Sequence, residues 1–96
     1  MEFVEFEWDP DKDVANIGKH GISFAKAQLA FADERGVLAE DIAHSDSEAG
    51  YYWFGRIEEG IVTVRFTMRE QAVRILGAGF WRKGRVIYER QSSLYR

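Results

Sequence analysis

Arg65, Arg69 and Arg74 flank the dipeptide Glu70–Gln71, which lies between two apolar runs, and Lys19–His20–Gly21 closes an amphipathic stretch nearer the N-terminus. A guanidinium group stays charged and grips phosphate with a planar fork. An imidazole, or a perturbed lysine, moves protons near neutral pH. Together these are the groups that RNA cleavage without a metal requires: a 2′-hydroxyl loses its proton, the phosphorane charge is stabilised, and the 5′-oxygen is protonated. Trp53, Trp81 and Tyr88 are the aromatics on which an unpaired base would stack. Two plainer readings stay open. The arginines can be three independent solvated charges, and Lys19–His20 can be ordinary basic residues in a last helical turn that Gly21 terminates.

Other chemistries lack their residues. The chain has no HExxH, no glycine-rich phosphate loop, no Ser-His-Asp spacing and no cysteine, and only two histidines, His20 and His44. Asp46 and Glu48 fall in a loop and read as solvated. No metal site and no cofactor are expected.

The elements that must position these groups follow from patterning. "FVEFEW" alternates as a first strand. Asp9 suits a helix cap, Pro10 the first helical position and Gly21 the terminator, so a helix is expected from Pro10 to about His20, with Val14 and Ile17 on its core face. Ser23 caps a second helix, "FAKAQLAFAD". "VLAEDIA" reads as a short strand and "HSDSEAG" as a loop. "YYWFGRI", "EEG" and "IVTVRFT" form a hairpin; "MREQA" turns the chain into the strand "VRILGAGF". A C-terminal helix follows from Trp81 onward, interrupted or started late by Gly84. Alternation along "IVTVRFT" puts Thr63, Arg65 and Thr67 on one face and Val62, Val64 and Phe66 on the core face. The predicted order is β-α-α-β-β-β-β-α, an α+β domain over residues 1–96 with helices segregated from an antiparallel sheet.

Charge is sorted along the chain. Residues 1–48 hold four Lys/Arg against twelve Asp/Glu, whereas residues 49–96 hold nine against four, within a formal net charge of −3. A basic second half suits a polyanion or an acidic partner, unless the halves interleave in space. The acidic start "MEFVEFEWD" is unlike a signal peptide, and no run nears the roughly 20 apolar residues of a membrane span. A cytoplasmic protein is expected, with no membrane contact.

"FEWDPDKDVANIGKHGISF", Phe6 to Phe24, closely resembles the N-terminal signature of the BrnT family of bacterial toxins, FEWDxxKxxxNxxKHGxSF. The resemblance continues through "HSDSE", "RFTMRE", "VRILGA" and Tyr88–Glu89. It implies a RelE-like ribonuclease fold and the toxin of a type II toxin–antitoxin pair. Such a toxin cuts RNA without a metal and arrests growth. Its implied partner is a BrnA-like ribbon-helix-helix antitoxin, through which alone the toxin reaches operator DNA. Carried over by position, Lys19, His20, Arg69 and Arg74 are the implied catalytic group. The chain departs from the pattern where many members carry arginine at positions matching Gly50 and Gly79, and where the last helix reads "GR" at Gly84–Arg85. Arg56, Arg65 and Arg82 are candidates to replace the lost charge and, with Trp81 and Tyr88, to bind RNA. A catalytically weakened module that keeps only antitoxin or RNA binding is the other reading.

Overall fold

The computed structural model describes residues 5–42 and 49–92. In chain order it holds β1 (Glu5–Glu7), α1 (Pro10–His20), α2 (Phe24–Ala27), a 3-10 turn (Gln28–Ala32), β2 (Val37–Asp41), β3 (Gly50–Ile57), β4 (Gly60–Arg69), β5 (Ala72–Gly79) and α3 (Arg82–Ser92). The local signals at α1 work as expected. The Asp9 side chain accepts from the Asp11 N–H at 2.8 Å, Pro10 occupies the first turn, and Gly21 ends the helix at φ 70°. The loop expected over His44–Glu48, with Asp46 and Glu48, lies outside the described residues.

The sheet order is β1-β5-β4-β3-β2. Strands β2 to β5 pair antiparallel, but β1 runs parallel to β5, with Glu7 beside Arg74, so the sheet is mixed and not antiparallel throughout. Nothing within the alternating "FVEFEW" encodes which distant strand it joins. Between β4 and β5 the register slips at Arg65/Phe66, leaving Leu76 as the extra residue of a bulge.

Apolar residues line both sheet faces. On the first, Val62, Val64, Phe66 and Ile75 pack with Ile22, Phe24, Ala27 and Ala30. On the second, Phe54 and Ile61 pack with Tyr88 of α3. Helices therefore flank the sheet on two sides. Gly84 neither interrupts α3 nor delays it. A Cβ there would collide with Thr63 Oγ1 and crowd Phe54, so close packing outweighs the helix propensity lost.

Val14 and Ile17 do not face the core: they are 69% and 46% exposed, and Asn16 is the buried residue of α1. β1 reaches only Ala72 to Arg74 of β5, so among the described residues no strand lies beside the edge near Ala78. Asn16 takes that place. Its Nδ2 donates to the carbonyls of Ala78 (3.0 Å) and Ile22 (2.9 Å), while its Oδ1 accepts from the Ala78 N–H (3.2 Å). A strand edge needs hydrogen-bonding groups more than apolar area, and α1 leans on it through an amide.

The Thr63 hydroxyl is buried under α3 and, among the described residues, has no hydrogen-bond partner. A buried unpaired polar group costs about 1–3 kcal/mol. Thr63→Val keeps the shape and removes the group, so it is expected to raise the urea unfolding free energy by about 1 kcal/mol. An unchanged or lowered midpoint would mean that the hydroxyl is satisfied in solution.

Candidate functional site

The second sheet face divides in two. At the β3–β4 turn end, Gly84 and Tyr88 press on Thr63, Phe54 and Ile61. Towards the β4–β5 turn, the pairing register puts Arg65, Thr67 and Arg69 of β4 on this same face, with Arg74 beside Thr67. Two of these arginines are held by carboxylates from the acidic half of the chain. Arg65 Nε donates to Asp41 Oδ2 at 3.1 Å, and Arg74 Nη1 donates to Glu7 Oε2 at 2.7 Å. Asp41 is 3% exposed, whereas Arg65 is half-buried. The bond to Asp41 uses Nε, which leaves the terminal amino groups of the fork for another acceptor. Gly50, paired with both Asp41 and Thr67, places no side chain between β2 and β4 here. Tyr52, paired with Arg65, has its hydroxyl pushed up by burial and by the Asp41 charge.

Between α3, the end of α1 and this face lies a cleft of about 560 Å³. β3 contributes Tyr52, β4 Arg65, β5 Gly77, α1 His20, α3 Lys83 and its approach Trp81. The His20 and Trp81 rings meet edge to face, centroids 5.0 Å apart. Asn16 and His20 are one helical turn apart and both line the cleft. The amide that docks α1 on β5 and the imidazole thus share one face of α1. A cation at phosphate reach, a proton carrier and an aromatic wall, in one recess, can hold and act on a phosphodiester.

The family model for the ribonuclease toxin BrnT, of type II toxin–antitoxin systems, matches residues 8–84. The chain belongs to the BrnT family. A search of curated proteins finds no match. Membership makes the chain a toxin-family ribonuclease and implies an antitoxin as its partner. Among the residues lining the cleft, the matched span includes all but Ile87. No helix among the described residues is long and apolar enough to cross a membrane. Among the described residues, no three His, Asp or Glu side chains group as metal ligands would.

Within this BrnT-family chain the residues singled out from sequence part company. His20, Arg65 and Trp81 meet at the cleft. Lys19 is exposed beside His20, Arg82 is exposed in the first turn of α3, and Arg69 ends β4 next to the turn. Arg56 and Tyr88 lie at the opposite end, where the guanidinium sits 5.6 Å over the ring. Tyr88 is buried, and its hydroxyl donates to Asp33 Oδ2 at 2.6 Å, so its ring serves the fold and offers no face to a base. Burial pushes the Asp33 carboxyl up. The Tyr88 hydroxyl and the N–H groups of Arg56 and Arg35 outweigh that and hold it below its ordinary value. Trp53 is likewise committed, stacked on Phe31 with its Nε1 donating to the Ala30 carbonyl.

Asp41, Tyr52, Asn16 and Gly77 escaped the sequence reading. Asp41 had a usable signal, since it follows Val37 and Ala39 on the apolar phase of β2, where a carboxylate needs a partner. Gly79 also gains an explanation. A Cβ there would lie 2.5–2.9 Å from three atoms of the Trp81 ring, so Trp81 fills the space that a side chain at 79 would use.

Proposed function

We propose that the chain is a metal-independent endoribonuclease of RelE-like fold. It arrests growth by cutting RNA on the arginine-bearing part of the second sheet face. The supporting observation is that Arg65, Arg69 and Arg74 share that face beside a cleft that holds His20. Arg65, Arg69 and Arg74 neutralise the scissile phosphate and its phosphorane. Glu7 and Asp41 fix two of these forks in place beforehand, which spares reorganisation when charge develops. His20, with Lys19 beside it, exchanges protons with the 2′- and 5′-oxygens. A BrnA-like ribbon-helix-helix antitoxin covers this face, and operator DNA is reached only through it.

RNA incubated with the purified chain in excess EDTA is expected to be cut. His20→Ala is expected to slow cutting about 10²–10⁴-fold, and Arg69→Ala with Arg74→Ala to abolish it. Intact RNA beside well-folded protein rejects the reading. Two observations favour a weakened, binding-only module instead: Trp81 fills the place of a side chain at 79, and Gly50 leaves the Asp41–Thr67 position bare. Gly50→Arg separates the two, because gained toxicity points to lost catalysis in the present chain.

A further inference from the structure

Gly77 lies in mid-strand with no packing reason to be glycine. Among the described residues a Cβ built there meets nothing within 4 Å, and its backbone is not left-handed. Gly79 and Gly84, by contrast, are each required by a neighbour in contact. Glycine inside a strand weakens it, and commonly marks a bulge, a bend or a place where a ligand approaches the backbone. The bulge of β5 falls one residue away, at Leu76, but Gly77 itself is paired with Arg65 and opens into the cleft.

The walls around it are aromatic on both sides. Tyr52 stands on β3, backed by the buried Phe54, the two rings tilted by 19° with centroids 6.1 Å apart. Trp81, 45% exposed, and His20 stand beyond β5. Gly77 carries no side chain and Trp81 fills the space above Gly79, so the recess between these walls is open down to the β5 backbone at Gly77. Cations rim the recess at Arg65 and Lys83, with Glu40 the acidic residue of the lining. Flat apolar walls, a bare floor and a cationic rim complement a planar heterocycle on an anionic backbone.

We infer that this cleft is a nucleobase pocket. An unpaired base of the RNA enters between the Trp81–His20 pair and Tyr52 with its edge over Gly77, while Arg65 and Lys83 hold the adjoining phosphate. The inference rests on the reading of this face as RNA-cleaving, and adds that the substrate is single-stranded at the site and held by a base.

The test uses the full chain and a 2′-O-methyl RNA hexamer, which cannot be cut, against an abasic backbone of equal length. Wild type is expected to bind the base-bearing oligomer about tenfold or more tightly than the abasic one, with quenching of Trp81 fluorescence. Gly77→Leu, which fills the floor, and Trp81→Leu, which removes a wall, are each expected to erase that preference. Equal binding of both oligomers by wild type overturns the pocket. So does a folded Gly77→Leu protein that keeps the full preference; should that variant lose its cooperative melt, Trp81→Leu decides. Cutting of ordinary RNA without any base preference removes the pocket and spares the nuclease. Base-dependent binding with RNA left intact does the reverse.

Discussion

Arg65→Ala is expected to destabilise the fold by about 3 kcal/mol or more, although the residue it removes is half-exposed and sits at a surface cleft. The loss comes from its partner. Asp41 is 3% exposed and receives the Arg65 Nε bond at 3.1 Å. Removing one member of such a pair takes the cation from a buried carboxylate, a change that typically costs about 3–5 kcal/mol, although Asp41 keeps its hydrogen bond with Tyr52. The partial exposure of Arg65 argues for the lower end. The reverse substitution, Asp41→Asn, leaves a guanidinium that water can still reach, and its cost is expected to be smaller. That asymmetry is the signature of a buried carboxylate that has lost its cation. Asp41→Asn placed in the Arg65→Ala background is then expected to recover most of the stability. Urea titrations of the four proteins check this. Equal losses from both single variants, with no recovery in the double, would contradict it. The double variant also separates fold from function. It is folded yet lacks the fork, so it should bind RNA poorly despite an intact melt.

The same pair shows what was legible before the fold was known. Alternation along "IVTVRFT" correctly assigned Arg65 to the face opposite Val64, because period two is a local property. The β3–β4 hairpin and the ends of α1 were legible for the same reason: Asp9, Pro10 and Gly21 act through bonds to near neighbours. What Arg65 would meet was not legible. Asp41 is 24 residues away, and its approach depends on Gly50 in the strand between them. The parallel pairing of β1 with β5 is equally non-local, and with it the Arg74–Glu7 bond, 67 residues apart in sequence. The convergence of His20, Arg65 and Trp81 joins three elements that no spacing rule links. Tyr88 and Trp53 illustrate the opposite limit. An aromatic ring in a basic segment reads the same whether it is buried on Asp33 or free to stack, and only packing distinguishes the two.

Asn16 carries the second large effect, and it couples stability to the site. Its amide satisfies three backbone groups, the carbonyls of Ile22 and Ala78 and the N–H of Ala78. Each buried backbone group left without a partner costs about 1–3 kcal/mol, so Asn16→Ala is expected to lose several kcal/mol unless water enters. Asn16→Asp should be worse at neutral pH. A carboxylate keeps the acceptor for Ala78 N–H but presents negative charge to two carbonyl oxygens in a site only 7% exposed. In acid the protonated carboxyl regains one donor, so the gap between the two variants is expected to narrow as pH falls. Hydrogen exchange at the Ala78 amide locates the damage: protection there should fall well before that of β3 and β4. His20 lies one turn further along the same helix. If the amide is what aims the imidazole into the cleft, Asn16→Ala should cut cleavage more than its folded fraction accounts for. His20→Ala should then add little to the damage already done. Additive losses would mean that α1 is held in place by other contacts, and that Asn16 closes a strand edge and nothing more.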